Sequence, residues 1–155
     1  LYKKDKKIFI KLNKILPKYI HSFPINKNEI TNAILSNKNN LKKIATIVHK
    51  EIRKKMKLFL NKNKKRKIII LDIPLLLENK INNKKDILVY VEAKKFKIKK
   101  RLKNRLNYNN KLFNKFKKIQ LPIDYKKRKA HFIIKNDFTK KSVKIGVNKI
   151  LNQIA

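Results

Sequence analysis

The stretch Ile68-Ile-Ile-Leu-Asp72-Ile-Pro-Leu-Leu-Leu-Glu78-Asn79 decides the predicted fold, because its first apolar run ends in a carboxylate. A continuous run of β-branched and other apolar residues is typical of a parallel strand that is buried on both faces. In open α/β sheets, ligands bind beyond the carboxyl ends of the strands. Asp72 is therefore predicted to lie at the end of a strand, beside a binding site.

Two further apolar runs, 87–91 and 131–134, also predict short strands. Apolar residues at helical spacing occupy most of the remaining chain. The predicted helices cover 4–20 (broken at Pro17), a short segment capped by Asn28, about 40–60, a segment with Phe96, Leu102 and Leu106, another around 112–116, and a last helix capped by Thr139. Strands that alternate with helices predict an α/β protein with a parallel sheet covered on both faces.

Composition limits the possible classes of protein. With 155 residues, 42% of them hydrophobic, the chain is long enough for one domain with a core. It has no cysteine, and its three histidines, His21, His49 and His131, are far apart, so neither disulfides nor a zinc site is predicted. No apolar run reaches the length of a membrane span, and no secretory signal opens the chain. We therefore expect a cytoplasmic protein without membrane contact.

The formal net charge of +36 raises the alternative of a small basic nucleic-acid-binding protein. Only five of the 45 basic residues are arginine, however, and arginine is the residue that phosphate and base recognition favours. The lysines are spread along the chain, and asparagine and isoleucine are enriched beside them while glycine occurs once. Codon bias explains this combination better than a dedicated surface, so only non-specific polyanion binding is expected.

Several motifs in a fixed order resemble those of dephospho-coenzyme A kinases. The run Asp72-Ile-Pro-Leu-Leu-Leu-Glu78 is similar to the family's D-x-P-L-L-x-E signature. Further similar pieces are Ile25-Asn-Lys-Asn-Glu-Ile30, Ile47-Val-His49, Asp86-Ile-Leu-Val-Tyr-Val91, Arg101-Leu-Lys-Asn-Arg105, Gln120-Leu-Pro122 with Lys126, and Ala130-His-Phe-Ile-Ile-Lys-Asn136. The resemblance begins at about Leu1-Tyr2 and extends over the whole chain.

The resemblance also has departures. Lys50 replaces the family's proline after the histidine, Lys27 replaces an arginine, and His131 replaces an aspartate. The family opens with a strand, a G-x-x-x-x-G-K-[ST] phosphate loop and a D-A-D segment. The sequence has one glycine, Gly146, and therefore no such loop. We expect that roughly 30–40 residues, about one βα unit, precede Leu1 in a complete kinase, and that the 155 residues alone are inactive.

The resemblance implies a fold and substrates. The implied fold is a three-layer P-loop nucleoside-kinase-like domain with a parallel sheet, lacking its first βα unit. One domain would cover residues 1–155, with a helical substrate-binding part at about 4–60 and a lid at about 94–128. The implied substrates are ATP and dephospho-CoA, and Mg²⁺ would accompany ATP. Another small P-loop kinase would share this architecture but not the order of the motifs.

The resemblance also implies roles for individual residues, most of them with a structural alternative. Catalytic roles fall to Asp72 and Arg105, and substrate binding to Asp72, Glu78 and His49. Nucleotide binding falls to Arg101, Arg105, Gln120, Lys126 and Asn136. The two arginines are four residues apart, which on a helix would place them on one face. Asp72 could instead form a turn, Glu78 could begin a helix, His49 could simply be packed, and Asn136 could form a turn. The two arginines could belong to a solvated helix face.

Overall fold

The computed structural model describes residues 4–106 and 108–154 of the chain. The chain divides into two compact units, Leu1–Asp72 and Ile73–Ala155. Leu1 and Tyr2, where the resemblance to the family begins, lie outside the described part. Within that part, none of the helices combines the length and the apolar character that crossing a bilayer would require.

The first unit is helical, with α1 at Lys6–Ile15, α2 at Lys27–Ser36 and α3 at Lys38–Lys62. Both α1 and α2 pack on α3. Ile8, Leu12 and Leu16 are buried and four residues apart, so α1 and the residue after it turn one apolar stripe inward. The helix predicted over 4–20 ends at Ile15, because the residue before a proline disfavours helical backbone and Pro17 follows Leu16.

Side-chain caps fix the helix starts in this unit. Asp5 accepts a hydrogen bond from the backbone N–H of Ile8 at 3.3 Å, which satisfies a free donor of the first turn of α1. The cap predicted at Asn28 is wrong. Helix α2 begins at Lys27, so Asn26 is the cap, and its side-chain oxygen accepts from the N–H of Asn28 at 2.9 Å.

The strand predicted from the apolar run 68–71 is also wrong, because residues 68–73 are neither helix nor strand. A parallel strand exists only where a neighbouring strand takes up its backbone hydrogen bonds. In the described part of the chain, the sheet consists of two other segments that pair with each other. Ile70 is consequently 83% exposed, which is far from the burial on both faces that the apolar run predicts.

The second unit contains a parallel two-stranded sheet, β1 at Val89–Glu92 and β2 at Phe132–Lys135. Three helices connect the strands and a fourth follows them: α4 at Lys95–Lys103, α5 at Asn110–Ile119, α6 at Ile123–Lys129 and α7 at Lys140–Ile154. Val89 pairs with Phe132 and Glu92 with Lys135. The predicted α/β class and the parallel sheet are confirmed, and both strands lie within two residues of their predicted positions.

Helix α7 packs on β2 where Gly146 meets Ile134. A Cβ atom at Gly146 would lie 2.8 Å from Cγ2 of Ile134, closer than side chains approach. The one glycine of the sequence therefore serves this close approach. The predicted cap of α7 is confirmed, since the hydroxyl oxygen of Thr139 accepts from the N–H of Ser142 at 3.2 Å.

Candidate functional site

Glu78 lies in a turn-rich segment, 74–80, that follows the decisive apolar run. Asn79 shapes this segment by donating its side-chain N–H to the carbonyl of Leu75 at 2.9 Å. Leu75 and Lys80 have left-handed backbones, with φ of 56° and 49°. Such backbone costs free energy in residues other than glycine and is common in functional loops. Glu78 does not begin a helix, so that alternative is wrong.

The carboxylate of Glu78 joins this segment to a distant part of the same unit. Its Oε1 accepts a hydrogen bond from the backbone N–H of Leu121 at 3.0 Å. The same oxygen lies 2.7 Å from the ammonium nitrogen of Lys126 in α6. The Glu78 and Lys126 side chains are only 11% and 19% exposed. Two of the motif stretches, 72–78 and 120–126, therefore meet at one half-buried ion pair.

Two opposing effects act on the pKa of Glu78. Burial alone would raise the pKa of this carboxyl. The hydrogen bonds from Lys126 and from the backbone, together with the charge of Lys126, outweigh burial and hold the pKa of Glu78 below its ordinary value. Glu78 is consequently ionised throughout the neutral range, as a partner of a lysine should be.

A second, more exposed ion pair lies one residue further along α6. Lys127 contacts the carboxylate of Glu92 at the end of β1, and both side chains are about one third exposed, at 33% and 34%. Hydrogen bonding to Glu92 raises the pKa of Lys127 above its ordinary value.

Gln120 is exposed and caps the C-terminal end of α5 through its backbone. The structure thus places Gln120 and Lys126 on either side of Leu121.

The two arginines do not lie on one helical face, which corrects the prediction from their spacing. Helix α4 ends at Lys103, and Asn104 caps it. Arg105 follows in a turn, where its N–H donates to the carbonyl of Leu102 at 3.1 Å. Leu106 is fully exposed, so no packing extends the helix to the residue that was expected to belong to it.

Arg101, in α4, lies over the aromatic ring of Phe138, with its guanidinium carbon 4.7 Å from the ring centre. One turn earlier, the ammonium group of Lys97 donates to the carbonyl of Asp137 at 3.2 Å. Two cations of α4 therefore hold the loop 136–139 after β2. No sequence pattern singles out Phe138 for this role, and its φ of 73° is unusual for an aromatic residue.

Asn136 forms a turn at the start of this loop. Its side-chain oxygen accepts from the N–H of Phe138 at 2.7 Å, and its own N–H donates to the carbonyl of Glu92 at 2.7 Å. Next to it, Asp137 accepts hydrogen bonds from the side chains of Ser142 and Thr139 at 2.5 and 2.7 Å. These hydrogen bonds lower the pKa of Asp137 to about 2.

His131 takes a structural position at the start of the sheet. Its Nδ1 accepts a hydrogen bond from the N–H of Leu88 at 2.9 Å, and its own N–H donates to the carbonyl of Leu88 at 2.8 Å. An aspartate, the family's residue here, could accept the same hydrogen bond. The replacement of the family's aspartate by His131 therefore keeps an acceptor for the N–H of Leu88.

The first unit holds the other two predicted site residues, His49 and Asp72. His49 is half-buried in α3. Burial, followed by the charge of Arg53, lowers the pKa of His49, so its imidazole is neutral at pH 7. Asp72 is exposed at the end of the unit. Across the described ranges, no group of three or more histidine, aspartate or glutamate side chains is suited to a metal ion.

Comparison with known proteins identifies the family of this chain. The dephospho-CoA kinase family model matches residues 3–142. The dephospho-CoA kinase of Wolbachia pipientis wMel is 31% identical over 156 residues, covering 99% of this chain and 80% of the relative. The enzyme of the same name from Wolbachia sp. subsp. Brugia malayi (strain TRS) is 27% identical, with 100% and 80% covered, and that of Bartonella quintana (strain Toulouse) 28%, with 84% and 68%. The chain belongs to the dephospho-CoA kinase family.

Proposed function

We propose that this chain acts in the transfer of the γ-phosphoryl group of ATP to the ribose 3′-hydroxyl of dephospho-CoA, with coenzyme A and ADP as products. The proposal rests on family membership and on one observation above all. Glu78 joins the segment 72–78 to Leu121 and Lys126, so two motif stretches that are far apart in sequence form one half-buried cluster. A cluster of motif residues, rather than scattered matches, is what a shared active site requires.

The second unit contributes positive charge in this proposal. Phosphoryl transfer spreads negative charge over the transferred group, and fixed cations stabilise that charge. Arg101, Arg105 and Lys126 are the proposed cations, with Arg105 acting on the reacting phosphate. Gln120 and Asn136 border the nucleotide. Arg101 lies over Phe138 and Lys126 contacts Glu78, so neighbouring side chains hold both cations in place.

His49 and Asp72 are the residues proposed for binding the acceptor. A neutral imidazole at His49 can exchange hydrogen bonds with the acceptor without adding charge. Mg²⁺ that accompanies ATP keeps several waters and needs only one or two protein carboxylates. The exposed carboxylate of Asp72 suits that requirement, and when bound the ion would neutralise phosphate charge.

The test is an assay of the product of the complete open reading frame. ADP should form only when ATP and dephospho-CoA are both present, with one coenzyme A per ADP. The 155 residues alone should show no turnover, because one glycine cannot form the phosphate loop. A preference for nucleoside monophosphates as acceptors would instead assign the chain to another class of small P-loop kinase.

Polyanion binding is proposed to be incidental. Exposed basic residues line one side of α3: Lys42, Lys43, Lys50, Arg53, Lys54 and Lys57. Salt screens the attraction of a polyanion to dispersed surface charge. Binding to DNA or RNA should therefore disappear at about 0.15–0.2 M salt. Tight binding at that ionic strength would favour the nucleic-acid alternative. We also propose a cytoplasmic location, which is compatible with a reaction that consumes ATP.

A further inference from the structure

Glu78 and Lys126 occupy two different motifs that are 48 residues apart, yet they contact each other directly. The ammonium nitrogen of Lys126 is 2.7 Å from Oε1 of Glu78, and the N–H of Leu121 donates to the same oxygen at 3.0 Å. One carboxylate oxygen thus contacts both the last turn of α6 and the backbone before this helix. The glutamate of the first motif and the lysine of the second are partners.

Burial makes this contact different from the neighbouring one. Glu78 and Lys126 are 11% and 19% exposed, whereas Glu92 and Lys127 are about one third exposed. Removing one partner of a poorly solvated pair leaves the other charge without water or a counter-charge, which is strongly unfavourable. Removing one partner of an exposed pair has little effect. The pair Lys127 and Glu92, whose lysine follows Lys126 in α6, therefore provides a matched control.

We propose that Glu78 is a positioning residue for phosphoryl transfer, acting through Lys126 and Leu121 instead of contacting the substrates itself. This inference rests on the proposed kinase function. The carboxylate directs the Lys126 ammonium group and holds the segment 120–126 in place. Oε1 of Glu78 already accepts two hydrogen bonds, as many as one carboxylate oxygen ordinarily accepts. A substrate donor at that oxygen would have to displace Leu121 or Lys126.

A positioning role of Glu78 and a direct contact of Glu78 with the substrates predict different effects for combined substitutions. If Glu78 acts through Lys126, then Glu78→Gln adds no further loss once Lys126 is replaced, and the double variant resembles Lys126→Met alone. If Glu78 and Lys126 contact substrates separately, the losses multiply. Glutamine keeps the shape of the side chain and can still accept from Leu121, so Glu78→Gln removes chiefly the charge.

The first measurement is spectroscopic and independent of catalysis. In the 155-residue chain labelled with ¹⁵N, the amide of Leu121 should shift with pH as Glu78 titrates, with a midpoint below 4.5. In Lys126→Met the midpoint should rise, since the neighbouring ammonium group is lost. In Lys127→Met it should stay unchanged. A Leu121 amide that shows no such titration would overturn the inference, whether or not the chain belongs to an active kinase.

The second measurement is kinetic and uses the product of the complete open reading frame. Glu78→Gln and Lys126→Met should each raise the KM for ATP by about tenfold with a smaller effect on kcat, and the double variant should match them. Lys127→Met and Glu92→Gln should change KM less than about twofold. Multiplicative losses, or an unchanged KM in Glu78→Gln, would overturn the positioning role. No kinase activity in the unsubstituted protein, with the Leu121 titration intact, would instead refute the proposed function on which this role depends.

Discussion

The guanidinium carbon of Arg101 lies 4.7 Å from the ring centre of Phe138, in the loop that follows β2. Lys97 contacts the same loop through the carbonyl of Asp137. Residues 97 and 101 are four apart in α4, so one face of this helix holds the loop with two cations. The loop also contains Asn136, which makes its position relevant to the proposed nucleotide site.

We predict that Phe138→Leu lowers the free energy of unfolding by about 0.5–1 kcal/mol, since a cation over an aromatic face at an exposed site contributes about that much. Urea unfolding of Phe138→Leu, Arg101→Gln and the double variant measures the coupling directly. Phe138→Tyr should behave like the unsubstituted protein.

The pair Lys129 and Tyr125 is the control for this cycle. Its ammonium nitrogen is 5.9 Å from the ring centre, at the outer limit of such contacts. Lys129→Gln combined with Tyr125→Leu should show almost no coupling. Equal coupling energies in the two cycles would mean that the contact of Arg101 with Phe138 stabilises the fold no more than the longer contact of Lys129 with Tyr125.

Local patterns predicted much of this fold, because periodicity and capping depend on residues close together in sequence. The helical spacing of Ile8, Leu12 and Leu16 and the cap at Thr139 are examples. Both observed strands were predicted as well. The prediction of a strand at 68–71 failed because an apolar sequence looks the same whether or not a second strand pairs with it. That information lies elsewhere in the chain.

The candidate site was less accessible to prediction. Motif resemblance selected Glu78 and Lys126 separately, but nothing in either motif indicates that they contact each other. The spacing of Arg101 and Arg105 suggested a shared helical face, and the helix ends between them at Lys103. The contact of Phe138 depends on the path of a loop, which no periodic pattern encodes.

The stability that Glu78 contributes should depend on pH. Its pKa in the folded chain lies below the ordinary value of 4.5, so the folded state favours the ionised form. The contribution is therefore fully present above about pH 4.5 and is lost as pH falls through the lower folded value. At pH 7, we expect Glu78→Gln to lower the free energy of unfolding by about 1–3 kcal/mol.

Urea unfolding of both proteins between pH 7 and pH 3 measures this dependence. The difference between them should shrink steadily below about pH 4.5. Glu92→Gln, at the more exposed pair, should differ from the unsubstituted protein by much less at pH 7. A difference for Glu78→Gln that stays constant over this range would show that its charge does not stabilise the fold.

Gly146→Ala should destabilise the protein, although alanine favours helix by about 1 kcal/mol over glycine. The new methyl group would lie 2.8 Å from Cγ2 of Ile134, a branched and buried side chain that cannot easily move away. Overpacking of this kind typically costs about 1–3 kcal/mol, so the net loss should be about 1 kcal/mol.

Two further variants separate these opposing effects. Asn148→Ala, at an exposed position of α7, gains helix propensity without a clash and should be slightly stabilising. Ile134→Ala removes the atom that Gly146→Ala would meet, so the two substitutions together should cost less than their sum. Chemical unfolding of the unsubstituted chain and of the four variants measures these differences. Additive losses would mean that α7 and β2 do not approach as closely as the structure indicates.

The last prediction concerns His131, whose Nδ1 accepts a hydrogen bond from the N–H of Leu88 just before β1. His131→Ala leaves that N–H to water and should lower the free energy of unfolding by about 0.5–1.5 kcal/mol. It should also speed hydrogen exchange at the Leu88 amide. His131→Asp can accept the same hydrogen bond, and a charged acceptor strengthens it, so this variant should be at least as stable as the unsubstituted chain. Thus two residues as different as histidine and aspartate would be equivalent here, because only an acceptor is required. If Leu88 exchanges equally fast in all three proteins, the acceptor is unimportant, and the change to histidine in this chain would need another explanation.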